Sequence, residues 1–185
     1  HLEINNLDKE FLYINSLSRG IGNNDLGLDR GQLGNTRIVF FTKRGNKILM
    51  VQPNTRYVSN SDNYLENKAV EEAFARSVLF SFEIIEEKNN NYIIDLTPLL
   101  MNDAHGVAQR LKYSNSGNYS LNKSLSAIEL DRTKAFPKNI EFDVILTFTG
   151  NPMGNLVRSV TPTASNITVN QHHSFVKLPD NNYKK

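Results

Sequence analysis

The sequence predicts an α+β fold, with a mostly antiparallel β-sheet of several hairpins and about two helices packed on it. Three observations support this class. Short apolar segments with period-two alternation recur along the chain, turn residues separate them, and two segments carry apolar residues at helical spacing. The 185 residues have the length of one domain, so we expect a single domain over residues 1–185. The first residues have the pattern of a mid-strand, and we expect the chain to be excised from a longer protein.

The first strands are predicted in the N-terminal third of the chain. Residues 11–17, 37–42 and 47–52 are rich in Ile, Val, Leu and Phe. Only four residues, including Gly45-Asn46, separate the last two segments, so they are predicted to form a β-hairpin.

The first helix is predicted over residues 64–76, where apolar residues recur at helical spacing. Asn63, with Glu66 three residues later, fits a capping pair at its start. The pattern then changes to alternation over 80–84, and residues 92–96 are predicted to pair back as a second hairpin.

The second helix is predicted to start at Thr97-Pro98, with threonine as the N-cap and proline in the first turn. Its apolar positions continue to Leu111 along one helical face. Gly106 weakens the helix, so two short pieces are an alternative, with Asp103 capping the second.

The C-terminal third is predicted to be mostly β-structure. Residues 113–123 are rich in Asn, Ser and Gly and are predicted to be a surface loop, followed by a short strand at 127–130. The clearest strand spans 142–148, where apolar residues alternate with polar ones. We expect 156–160 to return as its hairpin partner and 167–178 to form the last strand.

Composition excludes several classes of protein. The chain has no cysteine, which excludes disulfides, thiol nucleophiles and cysteine-ligated metals. Its 21 Lys and Arg and 19 Asp and Glu give a net charge of +2, and the basic residues are scattered, so we expect no nucleic-acid partner. No apolar run approaches the roughly 20 residues of a membrane span. The 25 Asn, many beside Gly or other Asn, indicate turns rather than a ligand site.

The segment 20–34 contains five glycines and superficially has the composition of a phosphate-binding loop. It lacks the Gly-Lys-Ser/Thr ending and the Gly-x-Gly-x-x-Gly spacing, and it precedes a strand rather than a helix. We therefore expect a structured loop that uses glycine for positive φ, with Asp29 and Arg30 as a local ion pair.

Two regions contain residues suited to catalysis or metal binding. Asp103 and His105 lie near the predicted helix break, where a capping aspartate and a half-exposed histidine are the simplest interpretation. His172 and His173 would point to opposite faces of a strand, which makes joint ligation of one metal difficult. A metal site formed with His105 remains an alternative.

Eight phrases, in this order, resemble an uncharacterised N-terminal domain of large exported bacterial zinc-dependent metalloproteases. They are FLY with SL (11–13, 16–17), GLDRGQLG (27–34), VQPNTRY (51–57), FARSVL (74–79), DAHGV (103–107), RTKAFP (132–137), LTFTG (146–150) and HHSFVKLP (172–179). The resemblance extends over nearly the whole chain.

The resemblance implies export, to the periplasm, the outer surface or the medium, and a metzincin-like peptidase domain further along the parent chain. Zinc would be held there by an extended His-Glu-x-x-His motif. No His-Glu pair occurs in this chain, so the general-base glutamate is also missing and we expect no peptidase activity from it alone. No cofactor is expected in this piece, and no functional residue is carried over.

The leading hypothesis is therefore a non-catalytic accessory domain that packs on its own downstream peptidase domain or assists its folding. The alternative is a module that recruits a protein or glycan substrate, with Tyr113 and Tyr119 as stacking residues. An independent metal-dependent hydrolase at Asp103 and His105 is third, and the oligomeric state is left open. The candidate interdomain or binding residues are Asp29, Arg30, Arg56, Asp103, His105, Arg132 and His172.

Overall fold

The structure is a computed structural model, and it describes residues 1–179. The strands are β1 (Leu2–Ile4), β2 (Phe11–Arg19), β3 (Leu33–Arg44), β4 (Lys47–Gln52), β5 (Ser77–Lys88), β6 (Asn91–Ile94), β7 (Gly117–Ala135), β8 (Asn139–Pro152) and β9 (Asn166–Lys177). The helices are α1 (Tyr64–Ala73), α2 (Thr97–Leu100) and α3 (Val107–Tyr113), with a 3₁₀ turn at Asn24–Leu26.

The fold is dominated by antiparallel β-structure, so the predicted α+β class is wrong. Strands contain 51% of the described residues and helices 13%. The helices are short, and α1, the longest, has no buried residue, so it cannot form a layer on a sheet. The sequence patterns located the helices but overstated their packing, because amphipathic spacing does not reveal whether a partner surface exists.

The chain divides into two compact units. The first contains residues 1–11 and 37–96, and the second contains residues 12–36 and 97–179. In the first unit the strand order is β1-β6-β5-β4-β3, and each of the pairs β1–β6, β6–β5, β5–β4 and β4–β3 is antiparallel. Its core includes Ile48, Met50, Phe82 and Ile94, all at most 2% exposed.

In the second unit the strand order is β2-β9-β8-β7, with β9–β8 and β8–β7 antiparallel. The predicted alternation in β8 is confirmed. Val144, Leu146 and Phe148 are fully buried on one side of the sheet, which we call the apolar face. Glu141 and Asp143 lie on the opposite, polar face, because alternate residues of a strand point to opposite sides.

Two predictions in the C-terminal third are wrong. Residues 117–135 are the long strand β7 rather than a loop with a short strand. Its register against β8 shifts between Asn122 and Ala127, where the Ser126 hydroxyl donates to the Asn122 carbonyl and accepts the Thr147 N–H. Serine thus replaces missing ladder bonds at a bulge, which explains how a polar segment can be a strand.

The second wrong prediction is the return strand at 156–160, which is a series of turns. The N–H groups of Ser159 and Thr161 donate to the carbonyls of Asn155 and Val157, four residues earlier. The strand that returns beside β8 is β9 instead. Val157 is fully buried, so the apolar residues in this segment serve burial rather than strand pairing.

Several local predictions are confirmed. The β3–β4 hairpin turns at Gly45-Asn46, and Asn63 caps α1 by accepting the Leu65 N–H at 2.9 Å. The second helix breaks before Gly106, and both carboxylate oxygens of Asp103 accept N–H groups of α3. Asn89, Asn90 and Asn115 adopt positive φ in turns.

The glycine-rich segment 20–34 is an ordered loop of the second unit, as predicted. Gly27 ends the 3₁₀ turn with φ of 61°, a conformation that favours glycine. Gly20 lies so close to the Leu28 backbone that a Cβ atom would be 2.0 Å from the Leu28 carbonyl oxygen. The expected ion pair between Asp29 and Arg30 does not form in the described residues, so backbone contacts stabilise this loop.

Candidate functional site

The structure brings together only some of the predicted site residues. Arg132 and His172 both contact Asp143 on the polar face of the second unit. Asp103 and His105 lie together before α3. Asp29, Arg30 and Arg56 belong to neither of these two groups.

Asp29, Arg30 and Arg56 form no ion pair within residues 1–179. Asp29 is half-buried in the glycine-rich loop, and its carbonyl accepts the Gln32 N–H at 3.2 Å. Arg30 is exposed. Arg56 is also exposed, and its backbone N–H donates to the Asn54 side chain at 3.1 Å.

The polar cluster of the second unit consists of Ser18, Arg132, Glu141, Asp143, His172 and Ser174. Strand register assembles it, because Asp143 lies opposite His172 and Glu141 lies opposite Ser174 in the β8–β9 ladder. The Asp143 carboxylate accepts hydrogen bonds from Ser18 Oγ at 2.5 Å and from Arg132 Nε at 2.8 Å. Glu141 accepts from the Ser174 hydroxyl and lies 2.8 Å from His172 Nε2.

Asp143 is the electrostatic centre of this polar cluster, since its side chain is only 4% exposed. Burial by itself would raise the pKa of the Asp143 carboxyl. The hydrogen bonds from Ser18 and Arg132 outweigh burial, and the charges of His172 and Arg132 add to them, so the pKa lies below its ordinary value. The carboxylate is therefore held ionised by its neighbours.

The polar cluster does not have the geometry of a nucleophilic site. Both serine hydroxyls donate to carboxylates, and neither is hydrogen-bonded to a histidine that could remove its proton. His172 directs Nε2 to Glu141 and Nδ1 to Asp143, at 2.8 and 3.4 Å. Within residues 1–179 no group of three or more His, Asp or Glu side chains is arranged to hold a metal ion. The arrangement is that of a satisfied ion-pair network.

Asp103 and His105 both have structural roles. Asp103 caps α3, while His105 is 5% exposed rather than half-exposed as expected. Its backbone N–H donates to the Gln171 side chain at 2.9 Å, and its Nε2 atom has no hydrogen-bond partner among residues 1–179. Burial and the charge of Arg110 lower the pKa of His105, and the Gly27 backbone and Asp103 offset them only in part.

His173 lies on the apolar face, opposite to His172, as the sequence predicted. It is fully buried, with Nδ1 2.9 Å from Tyr13 Oη and Nε2 2.9 Å from Gln171 Nε2. Because the Gln171 amide nitrogen can only donate, Nε2 of the ring is the acceptor and Nδ1 carries the hydrogen. Burial, with a smaller effect of the His172 charge, lowers the pKa of His173 to about 3.

The two tyrosines considered for glycan stacking differ in exposure. Tyr119 is 8% exposed, and its hydroxyl donates to the Ala164 carbonyl at 2.6 Å, so it offers no free face. Tyr113 is 75% exposed at the end of α3, and its hydroxyl accepts from Gln109.

A different kind of surface lies in the first unit, at residues 57–78. Its exposed apolar side chains are Tyr57 (49%), Val58 (67%), Tyr64 (73%), Leu65 (70%), Phe74 (37%) and Val78 (57%). We call this set the exposed apolar surface. Most of it belongs to α1 and its flanking segments, and α1 has no buried residue. Tyr57, Val58 and Phe74 of this set line one groove, and apolar side chains exposed together are typical of a surface that contacts another molecule.

A groove accompanies the exposed apolar surface, between α1 and the segment 53–59. Its volume is about 440 Å³. The rings of Tyr57 and Phe74 stack in it with centroids 4.1 Å apart and planes at 10°. Arg76, also in the groove, pairs with Glu71 at 3.0 Å, and its guanidinium lies over the Phe40 ring at 5.7 Å.

Sequence reasoning missed most residues of the polar cluster and of the groove. Asp143 was visible only as a polar residue within the clearest strand, and Glu141 was not singled out. A buried carboxylate cannot be recognised before the partner strands are known. Tyr57 and Phe74 are 17 positions apart, so their contact had no local signal.

None of the helices in the described part of the chain has the length and hydrophobicity needed to cross a membrane. The chain matches no curated protein and no solved structure. A family model described as a domain of unknown function (DUF5117) matches residues 31–185, which is most of the chain. That description assigns no activity, substrate or partner. The chain belongs to this family, DUF5117.

Proposed function

We propose that this chain is a non-catalytic accessory domain that docks another protein domain through the exposed apolar surface of its first unit. The single observation that supports this most is α1, a ten-residue helix that buries none of its side chains and yet carries Tyr64 and Leu65. A helix of this length gains most of its stability from packing in proteins. A partner that covers this face would supply that packing.

The partner in this proposal is the peptidase domain of an exported zinc metalloprotease. Its identity rests on the eight phrases that resemble the N-terminal domain of such enzymes, and zinc would belong to the peptidase domain. The satisfied hydroxyls and carboxylates of the second unit support a role without catalysis. A parent sequence with a His-Glu-x-x-His motif downstream of this segment would support the partner, and its absence would contradict it.

Recruitment of a glycan substrate is supported less well. The polar groups that line the groove already serve the local backbone: Asn54 accepts from Arg56, Ser59 accepts from Ser61, and Asn67 donates to the Ser61 carbonyl. Apart from the Glu10 and Glu71 carboxylates, few donors and acceptors therefore remain to converge on sugar hydroxyls, whereas the rings of Tyr57 and Phe74 remain partly exposed.

The docking proposal is tested with the double variant Val58→Ser/Tyr64→Ser. Both side chains are more than two-thirds exposed, so the substitutions should leave the fold intact. Binding to the separately expressed peptidase domain, measured by calorimetry, should weaken at least about tenfold because two apolar contacts are lost. Leu130→Ser, at a side chain 76% exposed in the second unit, is the matched control and should bind like the wild type.

A second experiment tests the accessory role. The peptidase domain is produced with and without this segment, and its soluble yield and peptide hydrolysis are compared. Lower yield or activity without the segment is expected. Equal yield and equal activity, together with unchanged binding by the double variant, would contradict the proposal.

A further inference from the structure

The groove beside α1 combines aromatic faces with carboxylates. Tyr57 and Phe74 provide the rings, and both are partly exposed, at 49% and 37%. Glu10 and Glu71 also line the groove. Aromatic faces and carboxylates together are the surroundings that favour a guanidinium or ammonium group.

The charges that line the groove do not cancel. Glu71 is paired with Arg76 at 3.0 Å. Glu10 is exposed and makes no ion pair or hydrogen bond with the described residues. One uncompensated carboxylate therefore lines a groove that also exposes aromatic surface at Tyr57 and Phe74.

The charged side chains near the start of α1 do not line the groove. Asp62 and Glu66, at the start of α1, are exposed and form no ion pair among the described residues, whereas Lys68 is 3.7 Å from Glu72. Arg56, which carries the opposing charge, lies outside the groove lining as well. The charged groups that do line the groove are Glu10, Glu71 and Arg76, and the negative charge left over at Glu10 favours a basic partner segment.

Arg76 shows the binding chemistry within the chain itself. Its guanidinium is held by one carboxylate, that of Glu71, and by one aromatic face, that of Phe40. Glu10 with Tyr57 and Phe74 offers the same two types of group to a second cation.

We infer that the groove takes an arginine or lysine side chain, which a partner protein presents on an amphipathic segment beside apolar residues. The inference rests on the proposed docking function and specifies the chemistry of the docked segment. Apolar residues of that segment cover Val58 and the Tyr57–Phe74 pair, and its cation lies at Glu10.

The test uses the full chain and two synthetic amphipathic helical peptides that share their apolar residues. One carries arginine and the other citrulline, a neutral isostere, at the same positions. Calorimetry at about 50 and about 300 mM salt should show the arginine peptide binding about tenfold tighter, with the preference reduced at the higher salt concentration. Glu10→Gln should reduce the preference, and Glu86→Gln, at another exposed glutamate of the first unit, should not.

The outcomes separate the inference from the proposed function. Equal binding of both peptides, lost in Val58→Ser/Tyr64→Ser, would overturn the cation site and leave docking intact. Binding of the peptidase domain with no binding of either peptide would also overturn the cation site. Failure of both peptides and of the peptidase domain to bind would overturn docking itself.

Discussion

Two regions of this chain differ from the usual distribution of side chains, in opposite directions. On the second unit, polar side chains such as Asp143, Gln171 and His173 are buried. On the first unit, residues 57–78 expose large apolar side chains. In the described part of the chain, the buried polar side chains have hydrogen-bond partners, apart from His105 Nε2. The exposed apolar groups have no comparable cover among the described residues.

The buried polar groups of the second unit therefore concern stability, and the exposed apolar groups of the first unit concern function. Buried polar groups that are satisfied specify how strands β2, β9 and β8 pack, and leaving one of them unpaired costs free energy. Exposed apolar groups contribute little to folding, so their presence needs another reason, which docking supplies. Substitutions in the second unit should therefore affect folding, and those in residues 57–78 should affect binding.

The largest expected effect is that of His173→Ala. It removes a fully buried ring together with its hydrogen bonds to Tyr13 Oη and the Gln171 amide. We expect a loss of about 3 kcal/mol in the free energy of unfolding, measured by urea titration with circular dichroism. His172→Ala, the neighbouring ring on the polar face, is the matched control and should cost less. Equal losses would contradict the distinction between the two faces.

The next effect is a dependence of stability on pH. His173 has a pKa of about 3 in the folded chain and an ordinary value near 6.5 when unfolded. Its contribution is complete above about pH 6.5 and is lost as pH falls toward 3, because the unfolded chain binds the proton first. The free energy of unfolding should decrease by about 2 kcal/mol between about pH 7 and pH 5. His105, with its lowered pKa, acts in the same direction.

The pH effect is checked by urea titrations at both pH values on the wild type and on His173→Gln. Glutamine does not titrate, so the dependence should become shallower in the variant. An identical slope in both proteins would show that His173 is not the main titrating group.

A smaller effect is expected for Asp143→Asn. The amide retains a similar shape but removes the charge that Arg132 and His172 face, so we expect a loss of about 1–2 kcal/mol in the free energy of unfolding. Asp131→Asn, at an exposed neighbouring position, should be within about 0.5 kcal/mol of the wild type. A loss in Asp131→Asn as large as that in Asp143→Asn would mean that the polar cluster is not specially coupled to folding.

Local features of this fold were predictable because they depend on neighbouring residues. The hairpin at Gly45-Asn46, the caps at Asn63 and Asp103 and the alternation in β8 follow from turn chemistry, capping and strand period. The length of β7 was not predictable, because side chains such as Ser126 replace the hydrogen bonds of its ladder at a bulge. A composition rich in Ser and Asn is also that of a loop.

The candidate sites were less predictable than the elements. Arg132 and His172 were recognised as candidates, but Asp143, which joins them, was not, because the pairing depends on the register of β8 and β9. The burial of His105 depends on contacts with distant Gln171. Helical spacing located α1 without indicating that none of its residues is buried.

The smallest effect on folding, and the sharpest contrast, is expected for Val58→Ser/Tyr64→Ser. With both side chains more than two-thirds exposed, the free energy of unfolding should stay within about 0.5 kcal/mol of the wild type. The same double variant should lose docking, whereas Asp143→Asn should lose stability and, once folded, dock normally. Urea titration of the two variants tests the expected stabilities, and calorimetry tests the expected docking. A double variant that unfolds as readily as Asp143→Asn would mean that residues 57–78 contribute to the fold like the buried groups, and their exposure would no longer argue for a partner.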